Sequence, residues 1–191
     1  MGKLSSTVKQ MNYLIEDENF LTDKEKEFLN NEFENIPFFY TKRIGVYRRD
    51  APVLCHNLVL RYDNPKVDNT KDRNVSPYTD FFLQILIRFT KKYSIPFNKI
   101  LRGSINMTTK VKWDKTIVHV DHTSDLNHTV FMLYLGDEVH GNLNVYEDNK
   151  ETMIKTIVPK NFKIVCFGDN VPHQFEYPKN GLRRAVVFTF N

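Results

Sequence analysis

The sequence contains only two cysteines, Cys55 and Cys166, among its 191 residues. Two thiols cannot build a disulfide-stapled framework or a cysteine-cluster zinc module, so both of these classes are excluded. The chain also has no apolar run close to the roughly 18 residues that a membrane-spanning helix requires. The opening residues, MGKLSSTVKQ, lack the apolar core of a signal peptide, and we therefore expect a cytoplasmic, intracellular protein without a membrane span.

An excess of charge of one sign is missing too. The 27 basic and 23 acidic side chains give a formal net charge of +4, and the basic residues are scattered. Without a basic, aromatic-rich stripe, nucleic acid is an unfavourable partner. Hydrophobic residues make up 41% of the chain and charged residues 26%, which favours a folded protein over a disordered one. This length predicts one domain, residues 1–191, with a sizeable core.

The first half of the chain has the pattern of two helices. Residues 12–15 read as a short strand, after which Thr22 and Glu25 form a capping box that begins a helix over residues 23–33. A second helix is predicted over residues 76–93. It carries an apolar stripe at helical spacing, made of Phe81, Phe82, Ile85, Leu86 and Phe89. Core packing is the simplest role for that stripe.

The segment between these helices divides into a strand and a loop. Residues 54–62 alternate between apolar and other side chains, which predicts a strand. Residues 63–75 form the longest polar stretch of the chain, and a loop of this length favours function or disorder over compact packing.

From residue 100 onward, short apolar or alternating runs recur about every ten residues, and turn residues separate them. The runs are 100–107, 116–121, 129–135, 142–146, 152–158, 162–167 and 183–190. Evenly spaced short strands without a long helix between them indicate a closed or double-layered antiparallel β fold. Because helices come first and strands follow, we predict a mainly β (α+β) chain, with a supporting region over about 1–99 and a β core over about 100–191.

A candidate metal site lies within this strand series. In the predicted strand 116–121, His119 and Asp121 are two positions apart and therefore point to the same face. The third ligand would be His173, in a turn-rich segment that follows the apolar run 162–167. Two histidines and one carboxylate form the facial triad of non-haem Fe(II) oxygenases, which leaves three coordination positions open. The competing interpretation is a buried histidine with a structural carboxylate partner.

Arg183 follows His173 by ten positions and begins the last predicted strand. A guanidinium that points into a β core needs an anionic partner, which a dicarboxylic cosubstrate would supply. The alternative is a solvated or packing arginine. The face that Arg183 occupies carries small residues that leave room for a ligand, whereas the face of Arg184 carries Val186, Phe188 and Phe190 and is typical of core packing.

The remaining histidines have simpler interpretations. His56 is predicted to be a surface residue of a strand, and His140 a turn residue. His122 and His128 are predicted to be loop residues near the mouth of the site, where His122 could touch substrate. Cys166 alternates within an apolar strand and is predicted to be a small buried hydrophobic residue.

Together these motifs resemble the Fe(II)/2-oxoglutarate-dependent dioxygenases, and most closely their prolyl 4-hydroxylase-like branch. The matching text is H-V-D at 119–121, F-M-L-Y-L at 131–135, G-N-L-N-V-Y at 141–146, K-I-V-C-F at 163–167, His173, and R-x-A at 183–185. Some positions depart from the family pattern. The strand before H-x-D reads SINMTT where many relatives carry a tyrosine that contacts the cosubstrate, which leaves Asn106 or Thr108 as substitutes. His140 and Gly136 stand where a glycine and an asparagine are usual.

The resemblance implies a double-stranded β-helix, or jelly roll, braced by N-terminal helices. It implies that His119, Asp121 and His173 are catalytic residues that hold Fe(II). It further implies that Arg183 pairs with the distal carboxylate of 2-oxoglutarate and that Tyr134 donates its hydroxyl to the same group. The corresponding activity is hydroxylation of an unactivated C–H bond with O2 and 2-oxoglutarate, with a prolyl residue of a peptide or protein as the foremost substrate.

Several alternatives stay open at this stage. The substrate could instead be a free amino acid or another small metabolite, or the chain could be a non-catalytic jelly-roll binding module, although such a module has no need for the triad and the arginine together. The resemblance also leaves open whether ascorbate is required. Residues 63–75 are predicted to be a substrate-covering segment that orders on binding. Gly2 and Ser6 match the loose N-myristoylation pattern, for which a chance match is the simpler explanation.

Overall fold

The structure is a computed structural model that describes residues 13–41, 53–122, 125–136 and 140–191. Gly2 lies outside these residues. Within them the chain forms ten strands, two α-helices and a 3-10 helix (Phe33–Asn35). Their order is β1 (Leu14–Asp17), α1 (Asp23–Glu32), β2 (Phe39–Thr41), β3 (Val53–Val59), α2 (Thr79–Lys92), β4 (Ile100–Thr109), β5 (Thr129–Tyr134), β6 (Leu143–Tyr146), β7 (Met153–Ile157), β8 (Ile164–Phe167), β9 (His173–Phe175) and β10 (Leu182–Phe190).

The strands form two antiparallel sheets. The larger sheet has seven strands in the order β1-β8-β5-β10-β4-β3-β2, and the smaller has three in the order β7-β6-β9. Strands that are distant in sequence lie side by side, as β5 and β10 do, which is the pairing of a jelly roll. The predicted mainly β jelly-roll fold is therefore confirmed, while the assignment of the whole chain to one domain stays a prediction.

The helices cover one face of the larger sheet. The capping box predicted for α1 is present, with the Glu25 carboxylate accepting from the Thr22 backbone N–H at 2.8 Å and the Thr22 hydroxyl accepting from the Glu25 N–H at 3.3 Å. The apolar stripe of α2 packs with side chains from the strands beneath it in one buried cluster. Cys166 belongs to this cluster, as predicted for a small buried hydrophobic residue. No helix among the described residues is long and apolar enough to cross a membrane.

The other face of the larger sheet lies against the smaller sheet, and this interior is where the two faces of the strands differ. Along β10, Val186 and Phe188 belong to the helix-side cluster, whereas Ala185 and Val187 belong to the cluster that includes Leu143 of β6. Both faces of the strand are thus buried. The alternation predicted for this strand is confirmed.

Strand β4 brings polar side chains into this interior. In its register with β10, Asn106 lies opposite Ala185, and Arg102, Ser104 and Thr108 lie opposite the other inward-facing residues of β10. Directly paired residues share one face of a sheet, so the inner face of β4 is a row of polar groups beside Ala185 and Val187 of β10. Such a row in a buried interior indicates a site for a polar ligand.

Three details differ from the sequence-based predictions. Residues 116–121 do not form a regular strand; their one isolated bridge in the described part of the chain joins His119 to His173, and a second bridge, Lys115 to Glu176, lies just before them. His173 lies in the short strand β9 rather than in a turn. His56 is buried rather than at the surface, and its two ring nitrogens lie 2.7 Å from the Pro37 carbonyl oxygen and 2.7 Å from the Ser76 hydroxyl.

Candidate active site

The three predicted metal ligands lie together in the interior between the sheets. The ligand atoms of His119, Asp121 and His173 all lie within 4.8 Å of one another. Strand β9 supplies His173, and His119 is held beside it because each residue's backbone N–H donates to the other's carbonyl oxygen at 2.9 Å. The two imidazole rings have their centroids 4.6 Å apart. This spacing allows one cation to contact all three side chains.

Both histidines are fixed in the tautomer that suits metal binding. Nδ1 of His119 donates to the carbonyl oxygen of Ile117 at 3.0 Å, and Nδ1 of His173 donates to that of Val171 at 3.0 Å. With Nδ1 protonated, the lone pair of each neutral imidazole is on Nε2. A hydrogen bond from the second ring nitrogen is the usual device that orients a metal-binding histidine.

The charge states of the group also suit a divalent cation. Burial, and then the neighbouring His119, lower the pKa of His173 to about 4, so its imidazole is neutral at pH 7. Burial alone would raise the pKa of Asp121, but Arg102 and the histidines outweigh it and hold the pKa well below its usual value. A neutral imidazole and an ionised carboxylate are the forms that coordinate metals.

Arg102 is a part of the site that sequence reasoning missed. Its Nη2 donates to Oδ1 of Asp121 at 2.7 Å, while Oδ2 of Asp121 lies 3.6 Å from Nε2 of His173. The available signal was a charged residue on an inward-facing position of β4, two positions before Ser104. The apolar character of the run 100–107 concealed it.

One cavity connects the metal group to Arg183, and both line its wall. Arg183 is only 2% exposed, and its Nε and Nη2 have no hydrogen-bond partner among the described residues. The guanidinium lies 4.4 Å from the ring centroid of Phe175 and 5.3 Å from that of Tyr134. A buried guanidinium with unused donors is costly unless an anion pairs with it, so the cavity fits a carboxylate-bearing molecule.

The predicted partners of that anion line or flank the cavity. Tyr134 is fully buried; burial raises the pKa of its phenol, although the adjacent Arg183 opposes this, and the phenol remains a proton donor at pH 7. Asn106 and Thr108, the two candidates to replace the family's tyrosine, both line the cavity. Oδ1 of Asn106 and the Thr108 hydroxyl have no hydrogen-bond partner in the described part of the chain. These orphaned polar atoms are available to a polar ligand.

Gly141 allows the chain to close over Arg183. Its φ is +83°, and a Cβ at this position would lie 2.1 Å from the Glu176 carbonyl oxygen and 3.3 Å from Cδ of Arg183. Only glycine fits both this backbone conformation and this close approach. Of the family's two glycines in this region, the chain keeps the one that its geometry requires, and His140 occupies the other position.

The neighbouring arginine lies on the opposite face of β10, as predicted. The guanidinium of Arg184 lies 5.1 Å from the ring centroid of Phe33, and its Nη1 is 3.6 Å from a carboxylate oxygen of Glu34. It therefore packs at the helix side of the sheet and does not reach the cavity.

The other two histidines of this region are more deeply buried than predicted. His122 and His128 both lie outside the strands, but each is nearly inaccessible to solvent. Their rings are 4.8 Å apart. His122 bonds to protein groups at both ring nitrogens, Asp63 at 3.1 Å and Thr189 at 2.7 Å, rather than facing the solvent.

Comparison by sequence finds no relative: no family model matches the chain, and no curated protein matches it. Comparison by structure finds similar proteins of known structure. An oxidoreductase of the 2OG-Fe(II) oxygenase family from Burkholderia pseudomallei is 13% identical, with a TM-score of 0.70 over 93% of this chain and 84% of that one. A Trichoplax adhaerens prolyl hydroxylase in complex with a hypoxia inducible factor peptide is 14% identical, with a TM-score of 0.59 over 93% and 82%.

HygX from Streptomyces hygroscopicus, solved with nickel and 2-oxoglutarate bound, is 12% identical, with a TM-score of 0.57 over 93% of this chain and 82% of that one. All three align over 93% of this chain with TM-scores from 0.57 to 0.70, which indicates a common fold. The resemblance found in the sequence is thus confirmed at the level of the fold: the chain has the fold of the 2-oxoglutarate–Fe(II) oxygenases, among which are prolyl hydroxylases.

Proposed function

We propose that the chain is an Fe(II)- and 2-oxoglutarate-dependent dioxygenase that hydroxylates an unactivated C–H bond. The observation that carries the proposal is the presence, in one cavity, of the buried group His119, Asp121 and His173 and of the unpartnered Arg183. A histidine–carboxylate site for structure alone would not need a buried cation beside it. A binding site for an anion alone would not need three metal ligands.

Each residue has a separate task in this proposal. Nε2 of His119, Nε2 of His173 and Oδ2 of Asp121 would hold Fe(II) on one face, which leaves room for a chelating cosubstrate and O2. Bound iron and 2-oxoglutarate would supply the oxidation, in which R–H, O2 and 2-oxoglutarate give R–OH, succinate and CO2. Arg102 keeps the Asp121 carboxylate ionised and oriented through their 2.7 Å hydrogen bond.

The far end of 2-oxoglutarate would be held by Arg183. Its two unused nitrogens can donate to both oxygens of a carboxylate, the bidentate geometry that favours arginine. Tyr134 would donate its hydroxyl to the same carboxylate, because its pKa is raised and the proton stays on the oxygen. The ring of Phe175, 4.4 Å from the Arg183 guanidinium, would exclude water and strengthen the pairing.

For the substrate we propose a prolyl residue of a peptide or protein. This is supported by the two prolyl hydroxylases among the similar structures, one of them from Pseudomonas putida with 12% identity and a TM-score of 0.55 over 93% of this chain and 91% of that one. A free amino acid or a small metabolite is the alternative substrate. Ascorbate enters the proposal only as an optional reductant.

The test is formation of succinate from 2-oxoglutarate by the purified chain in air. One reaction contains Fe(II), and a parallel reaction contains excess chelator. We expect turnover only with iron, and we expect the Asp121→Ala variant to lose it. Asp148→Ala is the matched control, because Asp148 is an exposed turn carboxylate that should leave the rate unchanged. Binding of metal and 2-oxoglutarate without any succinate, across a substrate screen, would instead indicate a non-catalytic binding module.

The substrate class is tested by the same measurement. A panel of proline-containing peptides, their alanine-substituted counterparts and free amino acids is added in turn, with and without ascorbate. Prolyl hydroxylation predicts that succinate formation rises with a proline peptide and not with its alanine counterpart, and that the peptide gains one oxygen atom from labelled O2. Stimulation by free amino acids alone would support the small-molecule alternative.

A further inference from the structure

Asp121 lies in a segment with little backbone support. In the described part of the chain, residues 115–122 pair with other segments only at two isolated bridges, and Asp121 follows the second of them in a bend. His173, by contrast, is part of strand β9 and its ladder with β6. The position of Asp121 must therefore depend on side chains that reach it from elsewhere.

One of these side chains is Arg61, which follows strand β3. Its Nη2 donates to the backbone carbonyl oxygen of Asp121 at 2.6 Å. The same guanidinium is held in its plane by Asp63, whose two carboxylate oxygens accept from Nε at 2.6 Å and from Nη2 at 3.0 Å. A bidentate arginine–carboxylate pair fixes geometry as well as charge. Asp63 thereby sets the direction from which Arg61 approaches Asp121.

Asp63 also holds the residue that follows the metal ligand. Its Oδ2 lies 3.1 Å from Nδ1 of His122, and Nε2 of His122 lies 2.7 Å from the Thr189 hydroxyl. The His122 side chain is fully buried. Thr189 pairs in the sheet with Arg102, the residue that binds the Asp121 carboxylate. The Asp121 carbonyl oxygen and the side chain of the next residue, His122, are thus both tied to one surface carboxylate.

We infer that Asp63 is a positioning residue for the metal ligand Asp121, acting through Arg61 on the Asp121 carbonyl oxygen and through the side chain of the next residue, His122. This inference rests on the metal site of the proposed function. Asp63 lies outside the cavity and touches no reacting atom. Groups that hydrogen-bond a metal ligand directly change metal affinity by about 10- to 100-fold when they are removed. Asp63 is one hydrogen bond further away, so we expect an effect at the lower end of that range.

The test compares metal binding by the full chain and three variants. Asp63→Asn keeps the size of the side chain but removes its charge and one of its two acceptors. Asp68→Asn is the matched control, since Asp68 lies in the same polar loop and its carboxylate pairs with Thr70, at 3.0 Å and 2.6 Å, and with Lys71 at 3.5 Å, all within that loop. Dissociation constants are measured for Co²⁺ together with its visible absorption spectrum, and the unfolding midpoint of each metal-free protein is recorded.

We expect Asp63→Asn to weaken Co²⁺ binding at least tenfold and to alter the spectrum, while Asp68→Asn matches the wild type. Wild-type affinity and spectrum in Asp63→Asn, with or without a lower unfolding midpoint, would overturn the inference. If Asp63→Asn does not fold, Thr189→Val decides, because it removes the other partner of His122. Weaker Co²⁺ binding by this variant supports the inference, and unchanged binding overturns it.

Failure of the inference can be told apart from failure of the proposed function. If the wild-type chain binds no Co²⁺, the metal site itself is wrong and the inference falls with it. If the wild type binds Co²⁺ and releases succinate while Asp63→Asn does both equally well, only the positioning role of Asp63 is wrong.

Discussion

Arg102 donates a 2.7 Å hydrogen bond to Oδ1 of Asp121, and both side chains are largely buried. The pair divides the carboxylate between two tasks, because Oδ1 is neutralised by a permanent cation while Oδ2 lies on the side of His173. A buried carboxylate without a cationic partner would otherwise be costly. Arg102 therefore lets the chain fold with an ionised carboxylate in the candidate metal site.

We expect the Arg102→Met variant to reveal this role in the metal-free protein. Breaking a buried ion pair on one side costs about 3 kcal/mol of unfolding free energy, since Asp121 is left uncompensated. A divalent cation would supply the missing positive charge, so the rise in unfolding temperature on adding Mn²⁺ should be larger for the variant than for the wild type. Thermal unfolding with and without Mn²⁺ measures both effects.

The double variant Arg102→Met/Asp121→Asn is the control for that experiment. It removes both charges, so the metal-free protein should recover most of the stability that Arg102→Met loses, and Mn²⁺ should no longer raise its unfolding temperature. Equal metal-free stability of the two variants would show that Arg102 stabilises by packing and not by charge.

The sequence predicts the composition of the site better than its scaffolding. The spacing of His119 and Asp121, together with the family pattern, selects side chains that the structure brings together with His173, and alternation along β10 separates Arg183 from Arg184. Alternation reports which face a side chain takes, however, and not whether a partner strand runs beside it. For this reason residues 116–121 resemble a strand although they make only one isolated bridge in the described part of the chain.

Two further predictions, for the segment of His173 and for His56, are wrong for physical reasons. Strand β9 has only three residues and follows the turn Gly168-Asp169-Asn170, so no periodic signal reveals it. His56 was assigned to the surface because of its polarity, although it lies two positions before the buried Leu58 and therefore on the same face. Bonds to Pro37 and Ser76 satisfy both ring nitrogens, and such long-range partners cannot be read from local sequence.

Replacing the two neighbouring arginines separately should distinguish cosubstrate binding from packing. We expect Arg183→Met to raise the dissociation constant for 2-oxoglutarate about 30-fold or more, because the distal carboxylate loses its buried partner. The ligand-free variant should be as stable as the wild type or more stable, since an unpaired buried charge is removed. Calorimetric titration under anaerobic conditions with Mn²⁺ measures the affinity.

Arg184→Met is the matched control, because Arg184 packs on Phe33 at the other face of the same strand. It should bind 2-oxoglutarate with wild-type affinity. A larger loss of affinity in Arg184→Met than in Arg183→Met would mean that the wrong arginine has been assigned to the cosubstrate.

Tyr134→Phe tests the smaller contribution of the phenol. Loss of one hydrogen bond to an ionised carboxylate should raise KM for 2-oxoglutarate about 10-fold, with little change in stability. Tyr146→Phe provides the comparison, since the Tyr146 hydroxyl donates to Gln174 at 2.7 Å and should affect stability rather than KM. An unchanged KM in Tyr134→Phe would leave this tyrosine with a packing role only.

The buried histidines should make the metal-free protein sensitive to mild acid. Burial lowers the pKa of His173 and the pKa of His122 from 6.5 to about 4. Between pH 6.5 and 4 the unfolded chain therefore binds protons that the folded chain does not, and the free energy of unfolding falls as the pH falls through this window. Above pH 6.5 both states are neutral at these sites, and this contribution is constant.

For His173 the loss reaches on the order of 3 kcal/mol at the acid end, at about 1.4 kcal/mol for each pKa unit. Urea unfolding at pH 7, 5.5 and 4.5 measures it, and His173→Asn should flatten the slope because it removes one titrating group. The same slope in His173→Asn and the wild type would show that other groups cause the acid sensitivity.

The polar loop 63–75 is predicted to become ordered over the substrate. Its contacts indicate that this ordering is confined to the middle of the loop. Arg73 donates from Nη1 to the Leu60 and Leu101 carbonyl oxygens at 2.8 Å and 3.1 Å, which holds the end of the loop against the sheet. Lys66 and Lys71 are exposed in its middle. Trypsin should therefore cut after these two lysines and spare Arg73.

A turnover-competent substrate, added with Mn²⁺ and 2-oxoglutarate in the absence of O2, should slow those cuts at least several-fold. Equal cutting rates with and without the substrate would contradict a substrate-covering role for the loop.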